Sequence, residues 1–201
     1  MSKKILLLFC ALATTGALAF AELTIRIGAD VEGQYRSKLQ SAAWPTDPDS
    51  YTDMRPGFTL GAEYLFPVAK FLKVGAGAEY QVGRPIQGSD VNSVYALPSF
   101  IPLYGVARMP LQVEGLKVIP TARVGYGFHL GNEVYKPSTV TLGGGLYWAA
   151  GLGFELTRNL FVEGVYGVNS GTRTTTAGPV STTSDVKLSK IELSLGYKLD
   201  I

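Results

Sequence analysis

The chain has 201 residues, and its 18 Lys and Arg against 16 Asp and Glu leave a formal charge of +2. That near-balance excludes the basic patch a nucleic-acid partner requires. A single cysteine and a single histidine exclude a disulfide framework and a cysteine- or histidine-cluster metal site. Beyond the first two dozen residues, no stretch reaches the roughly 18 consecutive apolar residues of a spanning helix.

The N-terminus reads as an export signal. Lys3 and Lys4 are its basic start and account for the whole formal charge, and residues 5–12 form a short apolar run. Ala17-x-Ala19 and Ala19-x-Ala21 are small-x-small cleavage patterns. Cleavage after Ala21 is favoured because alternation begins at once. The predicted division is a signal peptide over 1–21 and one domain over 22–201. Cys10 leaves with the signal, and Phe9 before it argues against lipid attachment.

From residue 23 the dominant signal is a period of two. In residues 23–36, Leu23, Ile25, Ile27, Ala29, Val31, Gly33 and Tyr35 alternate with Thr24, Arg26, Gly28, Asp30, Glu32, Gln34 and Arg36. Residues 57–66 set Phe58, Leu60, Ala62, Tyr64 and Phe66 against Thr59, Gly61 and Glu63. Residues 72–82 set Leu72, Val74, Ala76, Ala78, Tyr80 and Val82 against Lys73, Gly75, Gly77, Glu79 and Gln81. A fourth segment over 93–109, made irregular by Pro98 and Pro102, points Tyr104 and Arg108 away from Leu103 and Ala107. A fifth over 118–130 opposes Val124, Tyr126 and Phe128 to Thr121, Arg123 and His129. A sixth over 141–156 opposes Leu142, Leu146, Trp148, Leu152 and Phe154 to Tyr147, Gly151, Gly153 and Glu155. The seventh, 160–168, carries Val162 and Tyr166 against Glu163. The last alternates Ile191, Leu193, Leu195, Tyr197, Leu199 and Ile201 with Glu192, Gly196 and Lys198.

Connections alternate too. Residues 67–70, 110–117 and 157–159 are short; 37–56, 84–92, 131–140 and 169–186 are longer and polar. That count fits an all-β fold, an eight-stranded antiparallel up-and-down transmembrane β-barrel with both ends in the periplasm. A soluble barrel of lipocalin type would place the apolar face inside instead. The glycines that accompany the charged face favour charge inside, because an eight-stranded barrel has room only for its own side chains. The predicted lumen charge network is Arg26, Asp30, Glu63, Glu79, Arg108, Arg123, Glu155, Glu163, Lys190 and Glu192, paired because an unpaired buried charge is costly.

Three stretches resemble the OmpA/OmpX-type outer-membrane barrel superfamily, which includes opacity-protein-like barrels. They are IPLYGVAR (residues 101–108), GGLYWAAGLGFELTRNLFVEGVYGV (144–168) and LSLGYKLDI (193–201). The resemblance implies an integral outer-membrane protein, with outer-membrane lipid as its surroundings. It also implies handling by the barrel-assembly machinery, which reads an ending such as Tyr197-x-Leu199-x-Ile201. The family usually ends in Phe or Trp, and Ile201 departs from that.

For function, the leading expectation is a non-catalytic structural or surface-interaction barrel acting through four outer loops, with no cofactor. Trp44 and Tyr51 are the candidate contacts to an extracellular ligand, although solvated loop filler is the plainer reading. The alternative is a narrow pore. A third reading, a lipid A-modifying enzyme using His129, lacks the serine such a site wants, since residue 131 is glycine. Gly125-x-Gly127-x-x-x-Gly131 does not fit a dinucleotide fingerprint. The Thr/Ser-rich residues 172–184 read as a mobile surface loop.

Overall fold

The structure, a computed structural model, describes residues 21–39, 50–85, 96–97, 99–130, 133–135 and 138–200. The proposed signal peptide therefore lies outside the described residues, apart from Ala21, as do Trp44 and Ile201. Eight long strands form the body: β1 Glu22–Leu39, β2 Gly57–Ala69, β3 Leu72–Gln81, β4 Ser99–Arg108, β5 Leu116–Leu130, β6 Gly145–Glu155, β7 Leu160–Ala177 and β8 Val180–Asp200. Each pairs antiparallel with the next. β8 also pairs with β1, from Glu22↔Asp200 to Leu39↔Ser184, and this closes the ring. Among the described residues no helix is long and apolar enough to cross a membrane. A closed sheet needs none, since every strand satisfies its neighbour's backbone.

Burial settles which face is which. Ile27 is 62% exposed, Phe58 69% and Leu60 55%, whereas Arg26, Glu63, Glu79, Arg108 and Arg123 are all at most 3% exposed. Charges fill the inside and apolar side chains coat the outside, the arrangement lipid demands and the inverse of a soluble barrel.

Three connections at the end that carries the chain termini are tight. Lys70 and Phe71 turn β2 into β3. Glu114 and Gly115, with φ of 48° and 89°, form the two left-handed positions of a type I′ hairpin between Leu111–Val113 and β5. At the β6–β7 turn, Asn159 Nδ2 donates to the Lys198 carbonyl (2.9 Å), tying the turn to β8.

Two bulges overturn expected facings. The β1 register shifts between Asp30 and Glu32. One extra residue reverses every side chain beyond it. Tyr35 therefore turns inward, 8% exposed beside Met54 and Val186, and not outward with Ile25 and Ile27. Glu32 and Gln34 turn outward. A second irregularity at Gly144 separates β6 from its extension Ser138–Gly143, which pairs with β7 from Ser138↔Ala177 to Gly143↔Thr172. Leu142 consequently lines an interior cavity.

Residues 172–184 are not a loop. They continue β7 and β8 as a hairpin in unbroken register from Leu160↔Tyr197 to Ala177↔Val180. The two-residue turn is Gly178-Pro179. Gly178 has φ +59°, the left-handed first position of a type II′ turn, where glycine is favoured. Threonine, though polar, is β-branched and suits a strand.

Candidate functional site

The lumen holds a continuous ion-pair network. Arg26 of β1 sits at its centre. Its guanidinium lies 2.9 Å from Glu79, 3.2 Å from Glu63, 3.4 Å from Glu192 and 3.5 Å from Glu163. Those four acids come from β3, β2, β8 and β7, so one side chain ties five strands together. Arg123 of β5 pairs with Glu63 (2.8 Å) and Glu163 (2.5 Å). Arg108 of β4 pairs with Glu63 (2.6 Å). Lys190 of β8 joins Asp30 (3.0 Å), Glu79 (3.1 Å) and Glu192 (2.8 Å).

Nearer the termini, Lys73 pairs with Glu22 (2.5 Å), and Glu155 is held between Lys117 (2.9 Å) and Lys198 (2.5 Å). Lys73, Lys117 and Lys198 thus join Arg26, Arg108, Arg123 and Lys190. Facing them are Glu22, Asp30, Glu63, Glu79, Glu155, Glu163 and Glu192. Among the described lumen residues in these ion pairs, cations and acids match one for one.

Glycines make this density possible in two ways. A Cβ on Gly61 would stand 3.0 Å from Arg26 Nη2, and one on Gly77 would stand 2.7 Å from both Glu63 and Tyr104. Gly127 and Gly196 instead seat the rings of Phe100 and Phe161, which a Cβ would penetrate. The expectation that glycine makes room for long charged groups therefore covers only part of its use. The Phe161 ring, fully buried, carries Arg108 at 4.7 Å on its face.

Every residue of the predicted lumen network occupies the interior. Sequence reasoning left out several members. Arg26 Nη2 donates to Tyr104 Oη (2.8 Å), which donates to Glu63 Oε1 (3.0 Å). Asn169 donates to Gln81 (3.2 Å) and Gln81 to Glu79 (2.8 Å). Glu22 shares the inward parity of Thr24 and Arg26, a signal masked by its place beside the cleavage pattern.

Toward the other end the lining turns apolar. Tyr35, Phe100, His129, Leu142, Asn169, Val186 and Leu188 surround a cavity of about 30 Å³. His129 stands edge-on to Phe100, ring centroids 4.8 Å apart. Among the described residues lining that cavity there is no serine or threonine hydroxyl to serve as a nucleophile. Tyr51 lies in the short strand Ser50–Asp53, opposite Arg36 on β1. Tyr197 and Leu199 face outward on β8, 50% and 39% exposed.

A closed ring with a charged interior and an apolar coat is the architecture of an outer-membrane barrel. The chain matches the family model described as "Outer membrane protein beta-barrel domain" over residues 5–198. This chain belongs to that family. As a member of the outer membrane β-barrel domain family it is integral to the outer membrane. Among solved structures it is similar to the outer membrane protein AlkL in DMPC lipid bilayers, with a TM-score of 0.60 and 13% identity over 94% of each chain. It is also similar to the outer membrane protein OprG from Pseudomonas aeruginosa, with a TM-score of 0.56 and 13% identity, covering 91% of this chain and 97% of that one. At such identities these likenesses establish the fold. No curated protein matches the chain in sequence.

Proposed function

We propose that this barrel is a non-conducting, non-catalytic outer-membrane protein whose activity lies on its outer surface. The observation that carries this reading is Arg26, 2% exposed and ion-paired to four acids from four other strands, two of which also bind Arg123 from β5 on the far side of the ring. A water-filled path would have to part several of these pairs at once, and each buried charge so stranded is expensive. A filled lumen leaves the outer connections as the place for contact with an extracellular ligand, Trp44 and Tyr51 among them. The reading includes export by a signal peptide cleaved after Ala21. It also includes delivery to the barrel-assembly machinery through the C-terminal Tyr197-x-Leu199-x-Ile201.

Planar-bilayer recording of the purified, folded chain tests the closed lumen. The expected result is no reproducible conductance step; stable steps at neutral pH would overturn it and make the narrow pore the better reading.

A further inference from the structure

The extension of β6 and the outer ends of β7 and β8 rise together as a wall, edged by the short strand Glu133–Tyr135. Its register places Thr141 beside Thr174 and Thr139 beside Thr176 on one side, and Thr183 beside Thr174 and Ser181 beside Thr176 on the other. Directly opposite residues share a face of the sheet. Thr172 stands one pleat below on the same face of β7. The hydroxyls pair across the wall: Thr174 with Thr183 (3.3 Å) and Thr176 with Ser181 (2.9 Å). Thr139, Thr141, Thr172 and Ser181 are exposed. Charge enters at the foot of this face, where Asp185 of β8 stands between Thr172 and Lys38 and Lys187 stands between Ser170 and Arg36; the rows of Thr174 and Thr176 above carry none.

Along β7 and β8 this face continues the outward parity of the barrel, although Val168 within it is packed to 1% exposure. Along β7 its parity runs Val162, Gly164, Tyr166, Val168, Ser170, Thr172, Thr174, Thr176, with no register shift against β8. Tyr166 is 46% exposed and packs beside Trp148, ring centroids 5.8 Å apart, as an interfacial aromatic pair does. Immediately above that pair the face turns from apolar to hydroxyl. With the chain ends in the periplasm, that height corresponds to the headgroup layer of the outer leaflet. Uncharged hydroxyls, each both donor and acceptor, suit a neutral polyhydroxylated partner better than a phosphate or a carboxylate.

We infer that the threonine wall formed by the extension of β6 and the outer ends of β7 and β8 is a contact surface for the neutral saccharide of an outer-leaflet glycolipid. The wall lies on the barrel's exterior, so this inference stands apart from the state of the lumen.

The test uses the full folded chain in detergent. Native mass spectrometry measures its affinity for lipopolysaccharide with a complete core saccharide, for lipid A without sugars beyond its backbone, and for the released core saccharide. Wild type should hold the full-core lipid roughly tenfold more tightly than lipid A, the yield of a few surface hydrogen bonds. The triple variant Thr172→Val, Thr174→Val, Thr176→Val keeps the shape and strand preference and should lose that discrimination. The triple Thr→Ser variant keeps the hydroxyls and should retain it. Heat-modified electrophoretic mobility checks that each variant is folded. Equal affinity of wild type for both lipids overturns the inference, whether or not the valine variant folds. So does full discrimination by the folded valine variant. Released saccharide bound as tightly as the intact lipid overturns the membrane as its source and assigns the wall to a free glycan.

Discussion

Replacing Arg26 with methionine is the sharpest probe of the interior. The substitution keeps much of the buried stem and removes the charge. Each of the four acids around it keeps at least one other cation: Glu63 has Arg108 and Arg123, Glu163 has Arg123, and Glu79 and Glu192 share Lys190. No carboxylate is left wholly without a partner, so the loss falls at the lower end of the range for breaking a buried ion pair, about 3 kcal/mol. Lys73 is the contrast. Its side chain is 31% exposed beside Glu22, so Lys73→Met should cost about 1 kcal/mol or less. Reversible urea unfolding in lipid vesicles, followed by tryptophan fluorescence, measures both. Neutralising Glu79 in the Arg26→Met background should recover part of the loss, because Glu79 is the acid closest to the missing guanidinium. An Arg26→Met cost no larger than that of Lys73→Met, or a further loss on adding Glu79→Gln, would refute the reasoning.

Other consequences can be checked with the same material. A Cβ on Gly75 would lie 1.8 Å from the Tyr64 carbonyl oxygen, whereas one on Gly105 meets nothing closer than 3.8 Å. Gly75→Ala should therefore displace β2 from β3 and cost roughly 1–3 kcal/mol, while Gly105→Ala should stay within about 0.5 kcal/mol by the same unfolding assay. Gly178→Ala strains the left-handed turn position, so amide hydrogen exchange at Thr175 and Thr176 should quicken with the global unfolding midpoint unchanged. Arg26→Ala with Arg123→Ala removes two cations from the centre of the lumen, and discrete conductance steps absent from wild type should appear in planar bilayers.

Much of this architecture can be read along the chain, for reasons visible in single residues. The alternation of Ile25 and Ile27 with Thr24 and Arg26 is the pleat itself, and it survives into the structure because a membrane strand has two unlike faces. Parity fails where one residue is inserted. Nothing in Val31 announces the bulge that turns Tyr35 inward, and the run Gly143-Gly144-Gly145 marks an irregularity without saying that Leu142 will reverse. Polarity misleads at 172–184, where hydroxyls suggest a loop but β-branching and Gly178-Pro179 build a hairpin. The inward parity of Arg26 and Glu63 is legible. That Arg26 meets four acids at once is not, because it depends on strand tilt and on the order in which the ring closes.

Arg26 belongs to the first strand, while Glu163 and Glu192 belong to the last two. A sheet still open at the β1–β8 seam would hold those charges apart, leaving Arg26 to Glu63 and Glu79, Glu163 to Arg123 and Glu192 to Lys190. Zipping Glu22 to Leu39 against β8 unites them and completes their neutralisation in the same movement. The final seam thus joins two halves of one charge network. The same closure removes the two open edges, β1 and β8, whose backbone groups lipid could not hydrogen-bond.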